Sequence, residues 1–373
     1  LQSHNETKFI RYTFVNLHLL DTRTSSTNNV DIITASQELN NSPMMVLARI
    51  CSKKVYMITT LVLGQSVILV VLLLRAKCSR LEEMKFEGGL QGPIPSEDPR
   101  LIRYLQVKFL VKPSSLPYNL TPHTKENSQY LTESRFLGWE FLHYYIKYMF
   151  QEQVNGFFFE AGALDGEYNS NTLWLEYNLN WTGILVEPNP VSFESLIWKR
   201  RKAWLSNTCI SEESHPRQAV MQSNKKRKAN FGNRWMFEAN THEVGNIFSK
   251  NPEELEKSFS LPSYFTSQCF PLSTYFSGLN VSVVDLLSLD TQGNEWEAIQ
   301  SLLTTDIIVR VLLIEHVKNL TDKSIDKSFV DNLQKISYQL VDHDNKYNYI
   351  FFWMPDPILK DKMHPQKFKR YSG

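Results

Sequence analysis

Four carboxyl side chains end or directly follow apolar runs of the kind that form buried strands: Glu160, Glu187, Asp290 and Glu315. In an open α/β sheet, ligands bind outside the carboxyl ends of the strands, so these acids are predicted to converge there. Like charges held close together raise each other's pKa, and a bound cationic or hydroxyl-rich ligand relieves that cost. A metal held by Asp290, Glu315 and His316 is the competing explanation, although their spacing matches no known metal signature.

A glycine-bearing turn follows the first of these strands. Residues 157–160 lead through Gly162 and Asp165 to a helix start that Ser170 is predicted to cap. The N–H groups of such a turn face a ligand, and glycine permits its close approach. Glu187 ends the second strand roughly 20 residues beyond the turn, a position suited to a pair of ribose hydroxyls. The spacing is not G-x-G-x-x-G, so the dinucleotide fingerprint is absent, and a plain strand-ending turn remains the alternative.

Strands and helices alternate from Val154 onward, which predicts a doubly wound, mainly parallel α/β sheet. Beyond the first two, the predicted strands cover residues 203–205, 283–290, 307–315, 338–341 and 349–353. The predicted helices cover residues 96–108, 130–150, 192–199 and 324–336. Ser96 and Ser324 are the predicted N-caps of the first and last of these helices, and the basic run 199–202 is predicted to complement a helix dipole. Residues 212–262 are polar and irregular, which indicates hairpins or an insertion.

An apolar run without charged residues occupies residues 55–74. About 20 such residues span a bilayer, so a single transmembrane helix is predicted, and its distance from the first residue favours an uncleaved signal-anchor. Residues 1–54 are predicted as a disordered cytosolic tail, and residues 75–129 as a stem and linker. Residues 130–355 then form the globular domain, and residues 356–373 are predicted as a flexible, basic C-terminal tail.

The sequence also bears on the compartment of the globular part. Charges on the two sides of the apolar run are nearly balanced, so the positive-inside rule does not orient it. N-x-S/T sequons indicate a luminal or extracellular C-terminal part; those after the run begin at Asn119, Asn180, Asn280 and Asn319. Cys209 and Cys269 can pair in an oxidising compartment or remain buried free thiols. The net charge of +1 gives no global attraction to nucleic acid.

Several segments together resemble a known family. They are EAGALDGEYNSNTLWLE, NWTGILVEPNP, RRKAW, CIS, LLSLDTQGNEWEAI and LLIEHV, in that order. This series resembles the FkbM-type methyltransferase domain over roughly residues 130–355, and it is most similar to the animal, Star-like branch of that family. The resemblance implies a Rossmann-like, seven-stranded S-adenosylmethionine methyltransferase fold, here preceded by the single transmembrane helix.

The resemblance also implies roles for individual residues. Those implied to bind S-adenosylmethionine are Glu160, Gly162, Asp165, Glu187, Cys209, Ile210 and Ser211. The first three would lie beside the methionine moiety, Glu187 at the ribose hydroxyls and the last three at the adenine. Asp290 would lie near the sulfonium and the acceptor. Either Asp290 or His316 would accept the proton of the acceptor oxygen.

Two functions are compatible with the resemblance. Star-like proteins combine a cytosolic tail, one signal-anchor and a luminal FkbM-like domain. They assist the transport of membrane-anchored, epidermal-growth-factor-like cargo from the endoplasmic reticulum to the Golgi, which implies residence in endoplasmic reticulum, Golgi or endosomal membranes. The alternative is a membrane-anchored, luminal O-methyltransferase. Gln292 stands where the family often has an acid, and because an amide cannot act as a base, this residue favours the escort function.

Overall fold

The structure is a computed structural model. It describes residues 55, 57, 64–75, 93–122, 140–224, 240–245, 262–293, 295–318, 322, 324–364 and 366–371. The chain divides into two compact units, residues 1–79 and residues 80–373. In the first unit residues 64–75 are helical and expose their apolar side chains. No helix within the described ranges is both long and apolar enough to cross a membrane. Most of the remaining predicted span, and the predicted tail 1–54, lie outside the described residues.

The second unit alternates strands and helices. Its strands are β1 Leu110–Val111, β2 Phe157–Ala161, β3 Thr182–Val186, β4 Trp204–Ser206, β5 Cys209–Ile210, β6 Arg217–Asn224, β7 Asn240–Glu243, β8 Ser263–Phe270, β9 Val283–Leu289, β10 Ile308–Glu315, β11 Tyr338–His343 and β12 Asn348–Trp353. Its helices are α1 Pro99–Lys108, α2 Glu140–Phe150, α3 Leu173–Leu179, α4 Pro190–Lys199, α5 Leu272–Leu279, α6 Glu295–Gln300, α7 Lys327–Lys335 and α8 Pro357–Lys362.

Eight strands form the main sheet, in the order β1-β4-β3-β2-β9-β10-β12-β11. Strands β4, β3, β2, β9 and β10 are parallel, and β12 lies antiparallel between β10 and β11. The prediction of seven strands is therefore wrong by one: Leu110 and Val111 pair with Ser206 and Leu205 and add a short antiparallel edge. The order reverses between β2 and β9, and such a switch point opens a crevice at the carboxyl ends of the strands.

Helices cover both faces of this sheet, as the doubly wound prediction requires. Residues of α1, α5, α6 and α7 pack with Phe159 of β2 in one buried cluster. Residues of α2, α3, α4 and α8 pack with the neighbouring Phe158 in the other. Successive strand side chains point to opposite faces, so two adjacent phenylalanines reach two separate cores. Tyr145 of α2 is fully buried in the second of these clusters.

Buried core residues lie beyond both predicted boundaries of the globular domain. Leu101 and Leu105 of α1 are fully buried in the core, so this part of the predicted stem belongs to the domain. At the other end Leu359 of α8 is 1% exposed, and Tyr371 donates its backbone N–H to the Tyr145 hydroxyl at 3.1 Å. A few apolar side chains suffice to anchor a basic segment, because the lysine side chains between them can remain in water.

The helix caps are also displaced from their predicted positions. Asp98 caps α1 by accepting the N–H of Arg100 at 2.8 Å, and Asp326 caps α7 by accepting the N–H of Ser328 at 3.0 Å. Ser96 and Ser324 lie two residues too early for this role. A carboxylate is stabilised at the N-terminal end of the helix dipole, and the nearer aspartates therefore serve as the caps.

A smaller sheet lies beside the carboxyl ends of the parallel strands of the main sheet. Its strand order is β5-β8-β6-β7. It accounts for the described part of the region in which hairpins were predicted, since β6 pairs antiparallel with β7 and β8. Cys209 of β5 pairs with Cys269 of β8, where a disulfide joins the two strands. Of the two alternatives left open for these cysteines, a disulfide or buried free thiols, the structure contains the disulfide.

Removal of this disulfide is expected to lower the free energy of unfolding of the domain by about 4 kcal/mol. The two cysteines are 60 residues apart, and cross-linking a loop of that length restricts the unfolded chain by about that amount. The measurement is urea denaturation with and without reductant. The Cys209→Ala/Cys269→Ala variant is the control, because its midpoint should match that of the reduced protein and should not respond to reductant. A reduced protein as stable as the oxidised one would contradict the prediction.

Candidate functional site

A cleft of about 680 Å³ opens at the carboxyl ends of β2, β3 and β9. We call it the first cleft. The described residues that line it are Ala161, Gly162, Leu164, Val186, Glu187, Pro188, Thr208, Cys209, Ile210, Met221, Thr241, Glu243, Cys269, Asp290, Thr291 and Gln292. One wall therefore comes from the smaller sheet and the other from the turns that follow the central strands. Walls that combine apolar and polar groups suit a small organic ligand.

Glu187 ends β3 and is 2% exposed. Its Oε2 accepts the backbone N–H of Leu164 at 2.8 Å, and its Oε1 accepts the backbone N–H of Asn189, also at 2.8 Å. These two bonds hold the carboxylate against the cleft. A carboxylate offers about four acceptor sites, so two backbone donors do not exhaust its capacity for hydroxyl groups of a ligand.

Leu164 is a site residue that the sequence did not reveal. Its φ of 49° lies in the left-handed region, which costs a non-glycine residue about 1–2 kcal/mol. Its N–H is the group that reaches Glu187. Backbone strain of this kind concentrates at functional sites. No sequence pattern marks it, because leucine is unfavourable in this conformation and would not be chosen for such a turn.

Gly162 brings the turn after β2 against the end of β9. Its φ is 82°, and its N–H donates to the Val186 carbonyl at 3.0 Å. The N–H of Asp290 in turn donates to the Ala161 carbonyl at 3.1 Å. A side chain on Gly162 would overlap the carbonyl oxygen of Asp290. The close approach of these two turns is therefore possible only with glycine at this position.

The three residues predicted to lie at the adenine do not share one environment. Cys209 and Ile210 line the first cleft, together with the disulfide partner Cys269. Ser211 is fully buried, and its hydroxyl donates to the carbonyl of His215 at 2.8 Å. Strand β5 therefore presents an apolar wall to the cleft, while Ser211 holds the loop that follows.

A second cleft of about 950 Å³ adjoins the first. Its described lining residues are Leu142, Glu160, Ala161, Gly162, Leu164, Tyr168, Asn169, Asn171, Ser288, Leu289, Asp290, Gln292, Leu313, Ile314, Glu315 and Asn348. Gly162, Asp290 and Gln292 line both clefts, so the two meet at the ends of β2 and β9. Amide, hydroxyl and carboxyl groups dominate its polar lining, which suits a ligand rich in hydrogen-bonding groups.

Asp290 and Glu315 form a carboxyl pair in this second cleft. Gln292 joins them, because its Nε2 donates to Asp290 Oδ1 at 2.6 Å and lies 3.4 Å from Glu315 Oε1. The negative charge of Asp290, followed by burial, raises the pKa of Glu315 to about 9, and burial raises the pKa of Asp290. At neutral pH Glu315 of this pair therefore retains its proton.

A family model, the methyltransferase FkbM domain, matches residues 160–350. The chain belongs to the FkbM methyltransferase family. The matched segment begins at Glu160 of β2 and ends within β12. It contains the described lining of the first cleft and, apart from Leu142, that of the second. No curated protein and no solved structure shows a significant match to the chain.

Glu160 and Asp165, which are predicted to bind the cofactor, accept hydrogen bonds from the turn that follows β2. Glu160 is 3% exposed, accepts the Ser170 hydroxyl at 2.9 Å and the Asn171 N–H at 2.8 Å, and lines the second cleft. Burial raises the pKa of Glu160, against the opposing charge of Arg201. Asp165 Oδ1 accepts the N–H of Tyr168 at 2.7 Å and so closes the glycine-bearing turn. Both carboxylates therefore stabilise the turn by accepting its hydroxyl and N–H groups.

Arg201 is the largest departure from the prediction for this region. The basic run 199–202 is predicted only to complement a helix dipole, but Arg201 is fully buried. Its Nε lies 3.0 Å from Glu176 Oε2, and its guanidinium also donates to the carbonyl of Gly166 and to the hydroxyls of Ser170 and Thr172. One cation thus joins the turn after β2 to the helix that follows it.

His316 is one of the two residues predicted to accept the proton, but it is not among the described residues that line the two clefts. Its ring stacks on Phe329 with centroids 3.9 Å apart, and its Nε2 lies 3.2 Å from Asp326 Oδ2. Burial lowers the pKa of His316 against the raising effect of Asp326. Within the described ranges, no group of three or more His, Cys, Asp or Glu side chains is placed to hold a metal ion. Of the two predicted catalytic residues, Asp290 alone lines the clefts.

Proposed function

We propose that the FkbM domain binds S-adenosylmethionine in the first cleft and methylates a hydroxyl group of an acceptor in the second. The observation that carries this proposal is the junction of the two clefts at Gly162 and Asp290. A methyl donor and an acceptor must meet in line, and two adjoining clefts with a shared wall provide that arrangement.

The residues of the first cleft fit the cofactor by their chemistry. Glu187 offers acceptor oxygens to the two ribose hydroxyls. Cys209 and Ile210 offer an apolar wall to the adenine, and Gly162 lines the cleft at the turn beside which the methionine moiety would lie. When bound, S-adenosylmethionine supplies an electrophilic methyl group. The contribution of the chain is to bind the two partners and orient them.

The carboxyl pair supplies the proton chemistry in this proposal. Asp290 lines both clefts and would accept the proton of the acceptor hydroxyl at their junction. Gln292 is no base, but its amide fixes Asp290 at 2.6 Å and orients the carboxylate toward the cleft junction. Gln292, whose amide favoured the escort function, is therefore compatible with catalysis as a residue that positions Asp290.

Calorimetric titration of S-adenosylmethionine into the full chain tests cofactor binding. We expect binding by the wild-type protein and a 10- to 100-fold weaker affinity for Glu187→Gln. The loss of a hydrogen bond to a charged acceptor is worth about 1.5–3 kcal/mol, which corresponds to that factor. The substitution would also turn an amide NH₂ toward one of the two backbone donors that the carboxylate now satisfies.

The matched control is Glu194→Gln, which changes an exposed glutamate on α4. Its affinity should equal that of the wild-type protein, and circular dichroism should show both variants folded. Equal affinities for Glu187→Gln and Glu194→Gln would contradict the assignment of Glu187. No binding to the folded wild-type protein would contradict the methyltransferase proposal itself.

A second candidate function is that of a Star-like, single-pass type II membrane protein that assists endoplasmic reticulum to Golgi transport of membrane-anchored, growth-factor-like cargo. The disulfide between Cys209 and Cys269 favours it, because disulfides persist in the oxidising secretory pathway. The apolar run 55–74 provides the proposed anchor, with the FkbM domain in the lumen. An escort does not need the cofactor, so Glu187→Gln should leave cargo transport unchanged while it weakens cofactor binding.

A further inference from the structure

We infer that Asn280 is an N-glycosylation site of the FkbM domain. Asn280, Val281 and Ser282 form an N-x-S sequon directly after α5. Both Asn280 and Ser282 are exposed. The inference goes beyond the proposed methyl transfer, and it rests on the luminal placement of the domain proposed above.

The backbone at Asn280 suits a modified asparagine. Asn280 is the C-cap of α5 with φ of 54° and ψ of 48°, and its N–H donates to the carbonyls of Phe276 and Ser277. The left-handed conformation projects the side chain away from the helix end, and asparagine tolerates it better than most residues. Within the part of the chain that the structure describes, no hydrogen bond of the Asn280 amide group has to be broken. A glycan there would leave the packing of α5 unchanged.

The other described sequons are less favourable. The side-chain amide of Asn119 donates to the carbonyl of Trp198 at 3.0 Å, and the hydroxyl of Thr121 donates to Glu167 at 2.8 Å. The side-chain amide of Asn180 donates to Asn155 Oδ1 at 2.6 Å. A glycan on either amide would be attached to a nitrogen that already donates a hydrogen bond within the fold.

Asn280 also lies at the end of the sheet opposite to the clefts. It precedes β9, and the clefts open after the last residue of that strand. Strand β9 spans residues 283–289, so at about 3.3 Å per residue the two ends are roughly 20 Å apart. A glycan on Asn280 would therefore leave the entrance to both clefts uncovered.

The modification is a glycosyl transfer from a lipid-linked oligosaccharide. A bond forms between Asn280 Nδ2 and the anomeric carbon of the first sugar, while the bond from that carbon to the pyrophosphate oxygen breaks. The lipid pyrophosphate leaves with the electron pair of the broken bond, and the amide loses one proton. The disulfide on β5 and β8 supports exposure to the compartment in which such donors are used.

The test is expression of the full chain in a eukaryotic secretory cell line, followed by peptide N-glycosidase treatment in H₂¹⁸O and peptide mass spectrometry. We expect ¹⁸O-labelled aspartate at position 280, and higher occupancy there than at Asn119. Asn280→Gln and Ser282→Ala should each remove one glycan from the intact protein. Ser282→Ala keeps the asparagine at the helix C-cap, so the test stands even where Asn280→Gln fails to fold.

An unlabelled position 280 beside a labelled Asn119 or Asn180 would overturn the inference but leave the domain in the lumen. A chain labelled at no sequon would overturn the inference together with the luminal placement. Neither result would affect cofactor binding, which calorimetry measures separately on the same preparation. Asn280→Gln should bind S-adenosylmethionine as the wild-type protein does, because the residue lies at the far end of β9.

Discussion

Replacement of Arg201 by methionine is expected to lower the free energy of unfolding of the FkbM domain by about 3–5 kcal/mol. The guanidinium is fully buried, and its Nε lies 3.0 Å from Glu176 Oε2. Without it, the carboxylate of Glu176, itself 4% exposed, would remain buried without its cation. The carbonyl of Gly166 would lose a charged donor at the same time. Urea denaturation followed by circular dichroism measures the effect.

Three further variants separate the charge from the packing. Arg100→Met removes an arginine whose side chain is 71% exposed beside Asp98, and it should cost less than about 1 kcal/mol. Arg201→Lys keeps the charge but loses the planar fork, so its cost should be intermediate. Arg201→Met combined with Glu176→Met removes both charges and should recover much of the lost stability. A single Arg201→Met variant as stable as Arg100→Met would show that the buried network does not stabilise the domain.

Replacement of Gly162 by alanine is expected to destabilise the domain by about 2–5 kcal/mol and to abolish measurable cofactor binding. The φ of 82° costs an alanine about 1–2 kcal/mol. The new methyl group also overlaps the carbonyl oxygen of Asp290, which is backbone and cannot rotate away. Such overpacking typically costs about 1–3 kcal/mol. The turn would have to move, and with it the junction of the two clefts.

Gly278→Ala is the matched control, since it makes the same change within α5. A methyl group there would lie 3.5 Å from its nearest neighbour, a side-chain carbon of Leu105. Alanine favours a helix by about 0.5–1 kcal/mol over glycine, so this variant should be as stable as the wild-type protein or more so. Denaturation and cofactor titration are measured for both variants. Equal behaviour of the two would contradict the role assigned to the conformation of Gly162.

The strands and their acidic ends could be predicted from the sequence because the signal is local. A short apolar run that stops at a carboxylate identifies both a buried strand and its solvent-facing end, and this located Glu160, Glu187, Asp290 and Glu315. The same information does not distinguish their surroundings. Glu187 and Asp290 line the first cleft, whereas Glu160 is covered by the hydroxyls and N–H groups of the turn that follows it.

The side-chain surroundings that could not be predicted depend on contacts with residues far away in the sequence. Arg201 meets groups 25 to 35 residues earlier, and a run of four basic residues gives no indication that one of them turns inward. His316 directly follows Glu315, but neighbouring side chains of an extended chain point in opposite directions. The carboxylate therefore faces the second cleft, while the imidazole stacks on Phe329 of α7.

The order of strands in the sheet has a consequence for biosynthesis. The central strand β9 pairs with β2, which is made more than a hundred residues earlier, and β10 pairs with β12, which lies near the C-terminus. The last residues, through Tyr371, then close over α2. Contacts of such long sequence separation form slowly, because loop closure must precede them. A ribosome that still holds residues 348–371 withholds part of the core, so this domain is expected to fold only after that segment has emerged, when chaperones of its compartment meet a complete but open domain.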